Sequence, residues 1–152
     1  MLSIAVDTPI GTIGVMETNG AITRIDLKEG PAKGETSTLL DEAAMQLQAY
    51  FAGELKHFDL PLAPRGSSFQ QAVYEAMYAI PFGETRTYGE LAEQVNGFAR
   101  AVGQACGSNP IPIIIPCHRV LAANSLGGYS GFGGLETKIK LLQMEDAYPY
   151  LL

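Results

Sequence analysis

The chain has 152 residues, a 47% apolar and 17% charged composition, and a formal net charge of −6 at pH 7. That balance excludes a disordered chain, and the length suffices for one solid core or for a small lobe joined to a larger one. The acidic charge argues against a partner held mainly through its phosphates. No apolar run is long enough to span a bilayer, and two cysteines are too few for a disulfide framework. Cys106 and Cys117 also form no metal-ligand cluster with the distant His57, so no metal is expected. The opening stretch "MLSIAVDTPIG" has neither the basic nor the long apolar region of a secretory signal, and a reduced, cytoplasmic setting is expected.

Residues 2 to 27 read as a β-meander. "LSIAVDT", "IGTIGVME" and "AITRIDL" are rich in β-branched residues and are split by Thr8-Pro9 and by Asn19-Gly20, a hairpin signal. The polar stretch "KEGPAKGETS" reads as a loop. From Thr38 to about Ala52, Leu39, Leu40, Ala43, Leu47, Tyr50 and Phe51 recur at helical spacing. "LPLAPRGSS", residues 60 to 68, then reads as a connector, because its prolines and Gly66 break both helix and strand. This places a β-sheet and helix lobe at residues 1–66 and a second, mostly helical lobe at 67–152, an α+β chain.

In the second lobe, Ser67 or Ser68 caps a helix on which Phe69, Val73 and Met77 share a face, and Pro81 ends it. "TYGE" is a capping box, with Thr87 at the N-cap and Glu90 three residues on. The helix it opens, "YGELAEQV", halts at Asn96-Gly97, and "FARAVGQAC" continues as a second helix. Two short helices around so tight a turn resemble a helix-turn-helix. His57, Asp41 and Glu42 read as solvated surface.

"IPIIIPCHRV", residues 111 to 120, carries the chemistry. Prolines at 110, 112 and 116 fix φ and remove backbone donors, so the run is stiff and sets the position of Cys117. One reading of Cys117 is a small core hydrophobe. The other is a nucleophile, and the adjoining His118 and Arg119, costly to bury without partners, favour it. A thiol of pKa about 8.5 is only a few per cent ionised at neutral pH, and a neighbouring imidazole raises that fraction.

"NPIPIIIPCHRV" resembles the active-site signature of the O6-alkylguanine-DNA alkyltransferases. "RAVGQACGSNP" is similar to that family's recognition helix and "GETRTYGELA" to the entry into its helix-turn-helix. "GGYSGFGGLETKIKLLQME" is similar to its active-site loop and last helix. The similarity runs from about Ser67 to Asp146, and residues 1–66 match in outline. It implies repair of double-stranded DNA by a monomer without a cofactor. An alkyl group would pass from O6 of guanine, or O4 of thymine, to the protein's own cysteine, once and irreversibly.

Residue by residue, the resemblance makes Cys117 the acceptor, His118 the base that takes the thiol proton through a bridging water, and Glu145 the carboxylate that orients this imidazole. Tyr88 matches the donor of a proton to the departing guanine. Arg100 matches the finger that enters the stack when the lesion is flipped out, a step forced because a thiol cannot reach O6 inside a paired duplex. Ala99, Arg100, Tyr88 and Ser130 fall at DNA-contacting positions. Asn109, Pro112, Val120, Tyr129 and Ser130 fall at pocket positions, and Arg119 matches an arginine tied to the turn at Asn109. Read alone, Glu145 is equally a solvated acid at a helix end, Tyr88 a packing residue and Arg100 a solvated charge.

The family pattern is broken at three points. "VNGFAR" is about two residues shorter than the usual turn, Phe98 replaces a small residue on the face that slides along the minor groove, and Gly107 replaces a common Arg or Lys. From Phe69 onward there are five basic and seven acidic residues. Weak, modestly salt-dependent DNA binding is therefore expected. Cys106 reads as helix packing. Two rivals stand beside transfer: a damage sensor that flips the base without reacting, whose known relatives replace this cysteine, and a Cys-His hydrolase, for which no oxyanion hole is signalled.

Overall fold

The computed structural model describes residues 2–27, 34–129 and 134–147. The N-terminal part is an antiparallel sheet in the order β1 (Leu2–Thr8), β2 (Gly11–Thr18), β3 (Ala21–Asp26). Asn19 and Gly20 both take positive φ, 52° and 80°, as a two-residue hairpin turn demands. Alternation buries Val6, Ile13, Val15, Ile22 and Ile25, and helix α1 (Thr38–Phe51) packs over them with Leu40, Ala43, Leu47 and Tyr50 inward. Ser37 caps α1 by accepting a hydrogen bond from the Leu40 amide at 3.1 Å.

The connector is more ordered than its prolines suggest. Ile22 N donates to Pro61 O and Ala63 N donates to Ile22 O, both at 2.8 Å, so Leu62 adds to the free edge of β3. Pro61 and Pro64 flank that bridge without occupying its donor position, which is how an edge tolerates proline. Ile25 N likewise donates to Pro110 O at 2.8 Å, tying the same edge to the second lobe. A single apolar core then runs from the sheet through to Val73, Met77, Ile111, Ile113 and Leu141.

Ser67, not Ser68, caps α2 (Ser68–Tyr78), in a capping box with Gln70. Thr87 and Glu90 form the second box, at the start of α3 (Tyr88–Gln94). Asn96 turns the chain at φ 55°, and α4 (Ala99–Gly107) follows, completing the helix-turn-helix. A Cβ on Gly97 would stand 2.7 Å from the Phe69 ring, so the turn is seated tightly on α2. Helix α5 (Leu135–Met144) closes the fold. Two short strands not foreseen in the sequence, β4 (Arg86–Thr87) and β5 (Val120–Leu121), pair in parallel. No helix among the described residues is long and apolar enough to cross a membrane.

Candidate active site

The apolar run ahead of Cys117 is a buried turn rather than a strand. Asn109 clamps it from within: its Nδ2 donates to Ile115 O at 2.7 Å, and its Oδ1 accepts from the Ile111 amide at 3.0 Å. Ile113 sits at φ 74°, a conformation costly for a β-branched residue, and is held there by complete burial. Pro116, at φ −82° and ψ 70°, then makes an inverse γ-turn closed by the Cys117 amide on Ile115 O at 2.8 Å. The chain passes through one 3₁₀ turn, Cys117–Arg119, into β5. Because β5 pairs with β4, Thr87 lies against Leu121, and Tyr88, one residue on, is brought to the side of the sheet pair where Cys117 emerges.

Cys117 and Tyr88 line one cavity of about 620 Å³, together with Tyr129, Gly128 and a face of α4. Arg100, Gly103 and Gly107 recur at helical spacing on that face, Ala99 and Cys106 flank them, and Arg100 and Ala99 are exposed at its start. A Cβ on Gly127 (φ +72°) would meet the Tyr88 hydroxyl at 2.8 Å, so the loop can close on Tyr88 only with glycine there. Asn109, Pro112 and Val120 are not on the wall. Pro112 and Val120 are buried, while Asn109 holds the turn and its side chain also hydrogen-bonds the Cys117 thiol. Ser130 lies outside the described residues.

Behind Cys117 stands a buried polar network. Glu145, the C-cap of α5, has a fully buried side chain. Its Oε2 faces His118 Nε2 at 2.7 Å and accepts from Arg119 at 3.1 Å and from the Tyr50 hydroxyl; its Oε1 accepts from Arg119 Nε at 2.8 Å. The solvated-acid reading of Glu145 is thereby excluded. Arg119 is held by Glu145 and by Ile80 O at 2.7 Å instead of by the turn at Asn109, whose side chain is already engaged with Ile111 and Ile115. Burial pushes the Glu145 carboxyl up, but hydrogen bonds and charge from His118 and Arg119 outweigh it and hold it down at about 2.

That ionised carboxylate accepts only, so His118 carries its proton on Nε2 and leaves Nδ1 as an acceptor. Nδ1 is buried without a partner among the described residues, as is the Tyr129 hydroxyl. Burial lowers the His118 pKa more than the Glu145 bond raises it, so the imidazole is neutral and able to take a proton. Burial also pushes the Cys117 thiol up, against the opposing pull of Asn109 and Lys138. The sequence expectation that a neighbouring imidazole raises the ionised fraction is outweighed by burial, and the resting group is a thiol. Cys106 is pushed up to about 12, chiefly by burial, with its sulfur 3.5 Å from that of Met77.

Sequence reasoning missed two residues. Tyr50 comes from the first lobe, 95 positions from its partner. Lys138 is buried with its ammonium on Val120 O at 2.7 Å and Gly128 O at 3.1 Å, pinning the strand and the loop to α5. Burial lowers its pKa to about 8. Among the described residues no group of His, Cys, Asp and Glu is placed to hold a metal ion.

Two family profiles divide the chain between them. The 6-O-methylguanine DNA methyltransferase DNA binding domain matches residues 68–147, and the ribonuclease-like domain of the same methyltransferase matches residues 1–64. The chain belongs to the 6-O-methylguanine DNA methyltransferase family. A methylated-DNA–protein-cysteine methyltransferase of Methanosarcina acetivorans is 44% identical over 151 residues, 93% of this chain and 96% of the relative. The Mycobacterium tuberculosis protein crystallised as "OGT in complex with DNA" superposes with a TM-score of 0.86 at 43% identity, covering 97% of this chain and 94% of that one. A Methanococcus jannaschii O6-methylguanine DNA methyltransferase superposes at 0.68 with 29% identity, covering 98% and 95%. The α+β architecture is shared with them. DNA is the partner class, and the Methanosarcina relative is named for methyl transfer from methylated DNA to a protein cysteine.

Proposed function

We propose that this chain repairs O6-alkylguanine, and by the same chemistry O4-alkylthymine, in double-stranded DNA. It acts as a cytoplasmic monomer that uses each molecule once. The observation that carries the reading is the Glu145–His118 pair, which leaves one buried imidazole acceptor next in sequence to a cavity-lining thiol. The flipped base enters between Tyr88, Tyr129 and α4, and Arg100 fills the space it vacates. His118 Nδ1 takes the Cys117 proton, directly or across one water. The sulfur attacks the alkyl carbon, the C–S bond forms as the C–O bond breaks, and Tyr88 gives its proton to the departing guanine. The thiol proton on His118 restores the balance at Tyr88, so thiol and alkylguanine become thioether and guanine with no other reactant. Residues 67–152 carry this chemistry, and residues 1–66 form the supporting lobe.

Transfer is favoured over damage sensing because the acceptor Cys117 is present on the cavity wall with a base beside it. Mixing the protein with O6-methylguanine duplex and mapping the product by mass spectrometry tests this. One methyl per molecule on Cys117 is expected. A methyl on Cys106, repeated turnover, or tight binding with no mass gain would each overturn it.

A further inference from the structure

We infer that Tyr50, a residue of the first lobe, is a positioning residue for alkyl transfer: its hydroxyl holds the Glu145 carboxylate against His118, so the acceptor site is incomplete without residues 1–66. This rests on the transfer reading above and deepens it. Tyr50 is the last inward residue of α1, 2% exposed, and its ring is fixed edge-on by Phe51 at 5.1 Å and Phe82 at 6.3 Å and packs on Phe58 at 5.4 Å. So confined a ring has one direction for its hydroxyl, and that direction ends on Glu145 Oε2, the same oxygen that faces His118.

The consequence for the base is electrostatic. Glu145 Oε2 is shared by Tyr50, His118 and Arg119. Each donor withdraws part of the carboxylate's charge from the others. Around His118 the charged groups are Glu145, which raises its proton affinity, and Arg119 and Lys138, which lower it. Around Tyr50 they are Glu145, Arg119 and Tyr129, and burial with Glu145 beside it pushes the phenol far above its ordinary range. Tyr50 is therefore a permanent donor at every working pH. It tempers the negative charge His118 feels and fixes the oxygen that selects its tautomer. Removing the hydroxyl leaves a fuller charge beside His118, which raises the imidazole's proton affinity and loosens its aim.

The test is Tyr50→Phe in the full chain, a change that keeps the ring among Phe51, Phe58 and Phe82. Single-turnover transfer is measured from pH 5 to 9 on methylated duplex and on free O6-benzylguanine. The expected result is a rate about three- to tenfold lower on both substrates alike, with unchanged duplex affinity. The acid limb, below which His118 is protonated and unable to accept, is expected to move up by about half a unit. A purely structural role is read by Phe58→Leu, which disturbs the same aromatic cluster but keeps the hydroxyl: it is expected to lower the melting temperature and leave the acid limb in place. If Tyr50→Phe matches wild type in rate and limb, or if Phe58→Leu moves the limb equally, Tyr50 is packing only. If wild-type protein itself transfers nothing, the transfer reading fails instead.

Discussion

The two sides of the cavity are built on opposite plans. Behind Cys117, His118, Arg119, Glu145, Tyr50 and Lys138 are buried, and all but one of their charged or polar ends described above is bonded. In front, the outer face of α4 offers Arg100 as its lone cation, beside Ala99, Gly103 and Gly107. On the proposed mechanism the rear is preorganised for one proton transfer, with little to rearrange during reaction. The front has few charges with which to hold a polyanion, and on the proposed reading it relies on shape and on one arginine. Changes behind Cys117 are therefore expected to act on every substrate alike, and changes in front to act on duplex alone.

The strongest blow to the rear is His118→Ala. Loss of a general base is expected to slow transfer about 100- to 10,000-fold, on free O6-benzylguanine as on duplex, while duplex affinity measured by titration stays near wild type. A loss confined to duplex would erase the distinction between the two sides.

Next is Glu145→Gln, which takes the counter-charge from a buried Arg119 and is expected to destabilise the fold by about 3–5 kcal/mol in denaturant titrations. It also fixes the acid response. Unfolded, a glutamate titrates near about 4.3, whereas the folded carboxyl is held at about 2. Its contribution is thus complete above the unfolded value and is lost as pH falls from there towards about 2. His118, lowered by burial, adds to the loss, because below about 6.5 the unfolded chain takes up a proton that the folded site resists. Stability is expected to decline from mildly acid pH downward in wild type, and to be flatter below pH 4.5 in Glu145→Gln. An equal acid slope in both would place the titrating group elsewhere.

The sequence made the front legible and the rear only half so. Capping at Thr87 and Glu90, the Asn96-Gly97 break and the spacing of α4 are local signals, and local chemistry produced them. Lys138 was also within reach: Lys138, Leu141, Leu142 and Glu145 share one face of α5, and charges at both ends of an apolar stripe demand partners. The Tyr50 contact was not, since a bond across 95 residues leaves no local pattern and Tyr50 had the spacing of ordinary core. The same holds for the parallel pairing of β4 with β5, two residues each, which no periodicity can announce.

On the front, Arg100→Ala is expected to slow repair of duplex about tenfold or more and to leave free O6-benzylguanine unaffected, because extrusion costs a few kcal/mol and only duplex requires it. The same variant is expected to recover partly when the lesion lies opposite a mismatch, where unpairing is cheaper. Equal losses on duplex and free base would assign Arg100 to the fold. Its side chain is exposed at the mouth of the cavity, consistent with a group whose partner arrives with the DNA.

The smallest expected effect falls on Phe98, and it has the opposite sign. Phe98 is the N-cap of α4 and 83% exposed, so its ring projects from the turn that the helix-turn-helix presents, one residue before Ala99 and two before Arg100. Behind it the turn is close to Phe69, since even a Cβ on Gly97 would stand 2.7 Å from that ring. A ring held out in this way is expected to keep the start of α4 from settling against a narrow groove, and it supplies no capping hydrogen bond in return. Phe98→Ala is expected to tighten duplex binding by about two- to fivefold, or roughly 0.5–1 kcal/mol. The chemical rate on free base is expected to stay as it was, because the ring lies outside the cavity wall. Fluorescence titration on unmodified and methylated duplexes at two salt concentrations reads the effect: a closer approach brings Arg100 nearer to phosphate, so the salt dependence steepens with the affinity. Weaker binding with unchanged salt dependence would mean that Phe98 itself enters the base stack, and the front would then hold two plugs rather than one.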